Sequence, residues 1–189
     1  MASRLNRISI GVTSSTAVSS DEETISSVSN SKSLLDSIAN LKNTSLYDKT
    51  KDEDGNETFN REGIRLELDK FIEYYNATLK AATSSGVSGV VSNLTALKQK
   101  TAEYAASLSE VGISIGSDGR LSLKTDTFAK AGADILQKNL TSYASSIETN
   151  ARLVNYYSTT QNGVASSYSS TGAYSSNASD IVSSLYGQM

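Results

Sequence analysis

Four carboxylates, Asp48, Asp52, Asp54 and Glu57, crowd a glycine-containing stretch, and hard oxygen ligands of this kind suit Ca²⁺. The calcium-loop register fails, however. Counted from Thr50, the first ligand is of the wrong type and the closing position falls on Arg61. The stretch reads as a solvated turn. Ser29-Asn30-Ser31-Lys32 matches the Ser-x-x-Lys element of β-lactamases, but a chain this rich in Ser produces the match by chance, and no companion motif accompanies it. Gly112, Gly116 and Gly119 are spaced for a hairpin, whereas a phosphate cradle needs a strand before it and a helix directly after. Sequons at Asn43, Asn56, Asn76, Asn93, Asn139 and Asn177 follow from the same excess of Ser and Thr. Tyr74, Tyr75, Tyr104, Tyr143, Tyr156 and Tyr157 offer rings for a sugar or aromatic ligand. At heptad positions such rings more often line a core, with the hydroxyl left wet.

The missing residue types restrict the chemistry further. Among 189 residues there is no His, Cys, Trp or Pro. Zinc fingers, thiol nucleophiles, imidazole bases and the Ser-His-Asp relay are therefore excluded. We expect no enzyme, no cofactor, no metal and no small-molecule substrate. Folding without Cys suits an exported protein as well as a cytosolic one. The net charge is only -3, and no Lys or Arg follows Arg152, so nucleic acid is not an expected partner. Residues 1–20 lack the continuous apolar run of a signal peptide, and nothing approaches a membrane span.

With hydrophobic residues at 38% the core must be economical, and an elongated helical shape fits that better than a round one. Residues 1–19 read as a flexible arm. Ser20 and Glu23 form a capping box that opens a helix to about Leu41, with Ile25, Val28, Leu35 and Ile38 on one face and Ser31 or Lys32 filling the gap. Residues 43–58 are a polar loop with the tip of a hairpin as an option, and Asn60 caps the next helix. There Ile64, Leu68, Phe71, Tyr75, Leu79 and Ala82 alternate by four and three. After a glycine break at 83–89, the most regular stripe follows: Val90, Leu94, Leu97, Thr101, Tyr104, Leu108 and Val111, with Thr101 its one polar member.

At Gly112 the period changes to two. Ile113, Ile115, Leu121 and Leu123 share one face of a short hairpin. Thr125 or Asp126 then caps a short helix holding Phe128, Ala131 and Ile135, and a last helix from about Asn139 shows Leu140, Tyr143, Ile147, Ala151 and Val154. Residues 158–189 are a Ser-rich tail of low complexity, with Ile181, Val182 and Leu185 spaced for one amphipathic turn.

Tyr75-Asn76-Ala77 with Leu79, then Val111-Gly112-Ile113, then Asp118-Gly119 with Leu121 and Leu123, occur in an order that resembles the C-terminal region of the flagellar filament-capping family, hook-associated protein two. Lys124 to Phe128 replaces the acidic residue and Lys-Leu usual after that family's hairpin, and the chain is less than half as long as typical members. The resemblance implies a structural role as an oligomer at a growing filament. It also implies export through a type III channel without a cleaved signal, and flagellin or other flagellar proteins as partners.

The expectation is a mainly α chain: an elongated antiparallel helical bundle or coiled coil over 20–157, with one short β-hairpin at 111–123. Its function is that of a flagellar cap-like or filament-associated subunit, extracellular, and a homo-oligomer. Self-association and packing are assigned to Val90, Leu94, Leu97, Tyr104, Leu108, Ile181 and Leu185. The alternatives are a secreted or surface binding module (an adhesin or type III-secreted accessory protein) and a cytoplasmic location.

Overall fold

The structure, a computed structural model, describes residues 17–83 and 85–167. Helix α1 spans Ala17–Lys42, and a 3₁₀ turn follows at Thr44–Tyr47. Strands β1 (Lys49–Lys51) and β2 (Glu57–Phe59) form one hairpin, and α2 runs over Arg61–Thr83. Then come α3 (Ser88–Glu103), α4 (Ala105–Glu110), strands β3 (Ile113–Ile115) and β4 (Leu121–Leu123), α5 (Thr125–Lys130) and α6 (Ala133–Ser167). The chain is mainly α, as its periodicity predicts. It carries two antiparallel two-stranded sheets among the described residues: one within the expected hairpin at 111–123, and a second in the polar stretch 43–58, which the sequence offered as a loop with a hairpin tip as an option.

The long helices alternate in direction. Lys42 at the end of α1 pairs with Glu148 in mid-α6, and Lys49, seven residues on, bonds Asp134 near the start of α6 at 2.9 Å. The two helices are therefore antiparallel. Gly89 faces the ring of Tyr157, Thr101 meets Tyr143, and Asn139 reaches Ser107, so α3 and α6 are antiparallel too. The α1–α2, α1–α6 and α3–α6 seams carry most of the packing, whereas α2 and α3 meet sparsely.

Burial follows the predicted stripes closely on α2, where Ile64, Leu68, Phe71 and Tyr75 are wholly covered. On α1 the stripe is offset. Ser31, Leu34, Ile38 and Leu41 point inward and Leu35 is only half-buried. Ser31 sits at a core position because its hydroxyl donates to Val28 O at 3.0 Å, leaving no unpaired donor. The first helix also begins earlier than expected. Ala17 precedes Ser20, so the supposed capping box and part of the arm lie within the helix, where no Gly or Pro halts propagation.

Three further boundaries differ. The heptad helix breaks at Tyr104, whose φ of -93° and ψ of 9° leave the α basin and whose N–H is shared between Lys100 O and Thr101 O. Neither Thr125 nor Asp126 caps α5, because both lie in its first turn after Lys124. Ile135 belongs to α6 and is 48% exposed, with Leu136 buried in its place. Finally, α6 starts six residues before Asn139 and continues ten past Tyr157, into the predicted tail. Once nucleated, a helix adds one hydrogen bond per residue fixed, and Thr159 and Thr160 bond back to Asn155 O and Tyr156 O without breaking it.

Arg61 joins the lower elements. Its Nη1 donates to Phe128 O at 2.9 Å and Ala131 O at 2.6 Å, closing the end of α5, while its guanidinium lies 4.5 Å from the centroid of the Phe59 ring. Gly112 sits at φ +84°, where a Cβ would come within 2.7 Å of Lys124 O and 2.8 Å of Phe128 N. Only glycine lets β3 start this close to α5.

Candidate functional site

The heptad residues assigned to self-association are used inside the chain. Val90, Leu94, Leu97 and Leu108 are 1%, 6%, 1% and 0% exposed in the protomer's own core, and Tyr104 is half-buried with its ring 5.8 Å from that of Tyr143. Their side chains pack within the protomer's own core, and of the four leucine and valine positions Leu94 also lines an accessible groove. Ile181 and Leu185 lie outside the described residues.

Thr101, the polar interruption, is the centre of a buried network. Its hydroxyl lies 2.9 Å from Leu97 O, from the Tyr75 hydroxyl and from the Tyr143 hydroxyl. A threonine has one proton and two lone pairs. If that proton goes to Leu97 O, both phenols must donate to Thr101 Oγ1, and all three protons are placed. The hydroxyls of Tyr75 and Tyr143 are thus not wet: they join α2, α3 and α6 through one oxygen atom. Tyr47 is buried as well, its hydroxyl donating to Leu41 O at 2.8 Å.

Burial disfavours the phenolate, so Tyr47 and Tyr75 are each pushed up to about 12 and Tyr143 well above its usual 10. On unfolding the same groups return to about 10. Between those values the unfolded chain releases protons that the folded chain keeps. Stability is therefore full below about pH 10 and falls as pH rises from there. The urea midpoint measured at about pH 11 should accordingly lie below that at about pH 9.

Asn76, the residue after Tyr75, clamps the second hairpin. Its amide Nδ2 donates to Leu121 O and its Oδ1 accepts from Leu121 N, both at 2.8 Å. A side-chain amide here takes the place of a neighbouring strand at the edge of β4. The hairpin register is Ile113↔Leu123, Ser114↔Ser122 and Ile115↔Leu121, which puts the four apolar side chains on the helix-facing side and leaves the serines bonded to each other at 2.8 Å outside. Replacing Asn76 with Ala should cost about 1–3 kcal/mol, because the backbone of Leu121 loses both partners. Amide exchange of β3 and β4 should quicken while that of α6 stays slow.

Other sequon amides are engaged too. Asn43 caps the 3₁₀ turn, Asn93 bonds Gly89 O, and Asn139 bonds Ser107 O and the carboxylate of Glu110. Asn177 lies outside the described residues. In the acidic loop, Asp52 accepts from the N–H groups of Asn56 and Asp54 at 2.8 and 3.1 Å, and the Asn56 bond foremost holds its carboxyl below the usual range. Its oxygens close their own turn, and no group of three or more acidic residues is placed to share a metal among the described residues. Ser29 and Lys32 are exposed on α1.

An accessible groove runs along the sparse α2–α3 seam, about 480 Å³ in volume. Leu79, Val91 and Leu94 form its floor, and Val91 is 45% exposed. Lys80, Lys98 and Arg120 stand around it with Asp118, which pairs with Arg120 at 3.4 Å. Lys80 and Lys98 have no carboxylate within ion-pair distance among the described residues. The chain matches no family model, no curated protein and no solved structure. Its surface must therefore be interpreted on its own chemistry. No helix among the described residues is long and apolar enough to cross a membrane.

Proposed function

We propose that this chain is a structural, non-enzymatic subunit of a bacterial flagellum, cap-like or filament-associated, which works by self-association of its helical bundle. The observation that carries the reading is the clamp between Asn76 and Leu121. It brings the separated motifs on which the family resemblance rests, Tyr75-Asn76-Ala77 and Asp118-Gly119 with Leu121, into one packed unit. Residues that folded apart would make the resemblance a coincidence of spacing. The non-enzymatic part is supported by the side chains that sequence alone singled out for chemistry. Among the described residues, the buried tyrosines, the Asp52 carboxylate and the sequon amides are committed to holding the fold.

Self-association then falls to the outer faces, where Leu66, Val91, Ile135, Leu153 and Tyr156 stay exposed, and flagellin is the further partner. The location that goes with this role is extracellular, reached without a cleaved signal peptide. Immunogold labelling of cells that express the chain, with antibody raised to the purified protein, should decorate flagellar filaments or their tips. Label confined to the cytoplasm, with filaments bare, overturns the proposal.

A further inference from the structure

The groove between α2 and α3 has unpaired positive charge at its rim, and the first hairpin has the opposite. From Asp48 to Glu57 the chain carries five carboxylates against two lysines, and Lys49 is already held by Asp134 and Glu57. Every residue from Lys51 to Thr58 is exposed, so the β1–β2 tip stands clear of the bundle. Asp52 folds the turn, and Glu53 and Asp54 form no ion pair among the described residues. A chain with an exposed acidic tip and a basic groove is complementary to itself.

The two surfaces do not meet within one molecule. The tip lies at the start of α2, next to Arg61, and the groove is at its far end, at Leu79 and Lys80. Nineteen residues of helix separate Arg61 from Lys80, roughly 28 Å at 1.5 Å per residue. We infer that the acidic turn Asp52–Asn56 of one copy docks into the Lys80, Lys98 and Arg120 groove of a second copy. Two different surfaces at opposite ends make this contact head-to-tail, and such contacts build rings or open filaments according to the rotation between copies. The inference rests on the self-association reading above and supplies its interface.

The test is sedimentation velocity on the full chain, with a groove-reversed variant (Lys80→Glu with Lys98→Glu) and a tip-reversed variant (Glu53→Lys with Asp54→Lys). These side chains lie at the surface, and circular dichroism with a urea midpoint checks that each variant folds. Each variant alone should associate at least about tenfold more weakly than the wild-type chain, since like charges now face each other. Mixing the two variants should restore association, because each then offers a surface of the sign that the other lacks. Raising salt should weaken the wild-type contact by screening. Reversed variants that associate as tightly as an associating wild-type chain overturn this interface and leave self-association standing. A wild-type chain that stays monomeric overturns both.

Discussion

Truncation of Leu97 to alanine should lower the folding stability of the chain by about 2–5 kcal/mol, the usual range for a leucine removed from a packed core. Leu97 is 1% exposed and lies in the seam of α3 with α6, one helical turn before the Thr101 network. The cavity left behind lies inside a close-packed core, so it cannot collapse by moving one side chain. The same substitution should not change the self-association of whatever fraction remains folded. Urea unfolding and sedimentation velocity on one preparation separate the two effects. An unchanged urea midpoint with lost association would mean that Leu97 faces a partner instead of the core.

That contrast marks where sequence reading reached its limit. A repeat of three and four residues states that a helix has an apolar stripe, and the stripes on α2, α3 and α6 were legible because the members whose burial is described are buried in the observed fold, apart from Tyr104, which is half-buried at the α3–α4 break. The repeat does not state whether the surface that covers the stripe comes from the same chain. Here α6 covers the Val90–Leu108 stripe, and α6 is longer than composition indicated. Its uncharged end lacks the residues that normally mark a helix and contains Gly163, yet no Pro interrupts it, and a helix already nucleated adds a hydrogen bond for each residue it fixes. The β3–β4 hairpin was legible for a local reason, since alternation and the turn glycines all fall within a dozen residues. Asn76 and Thr101 were not. Their partners lie 45 and 26 residues away, and no short-range pattern announces a bond over that separation. The groove was equally silent, because Lys80, Lys98 and Arg120 come from α2, α3 and the β3–β4 turn.

Thr101→Val tests the least predictable of these features. Valine keeps the shape of threonine and its β-branching but has no hydroxyl, so packing is nearly preserved while two buried phenols lose their shared acceptor. An unpaired buried polar group costs about 1–3 kcal/mol. Tyr75 and Tyr143 are both wholly buried, and their rings are fixed by Phe71, which lies 6.0 Å from one and 5.8 Å from the other. Neither can turn its hydroxyl out to water without opening the α2–α3–α6 junction. The expected loss is therefore about 2–4 kcal/mol, allowing for a partial bond between the two phenols in the variant. Thr101→Ser retains the oxygen and should lose far less, which separates the hydrogen bonds from the packing. The triple variant Thr101→Val, Tyr75→Phe, Tyr143→Phe removes every polar partner together. It should recover most of the stability lost in Thr101→Val, because a junction with no polar atoms leaves none unsatisfied. If Thr101→Val unfolds at the same urea concentration as the wild-type chain, the network contributes nothing and the three helices are held by apolar contact alone.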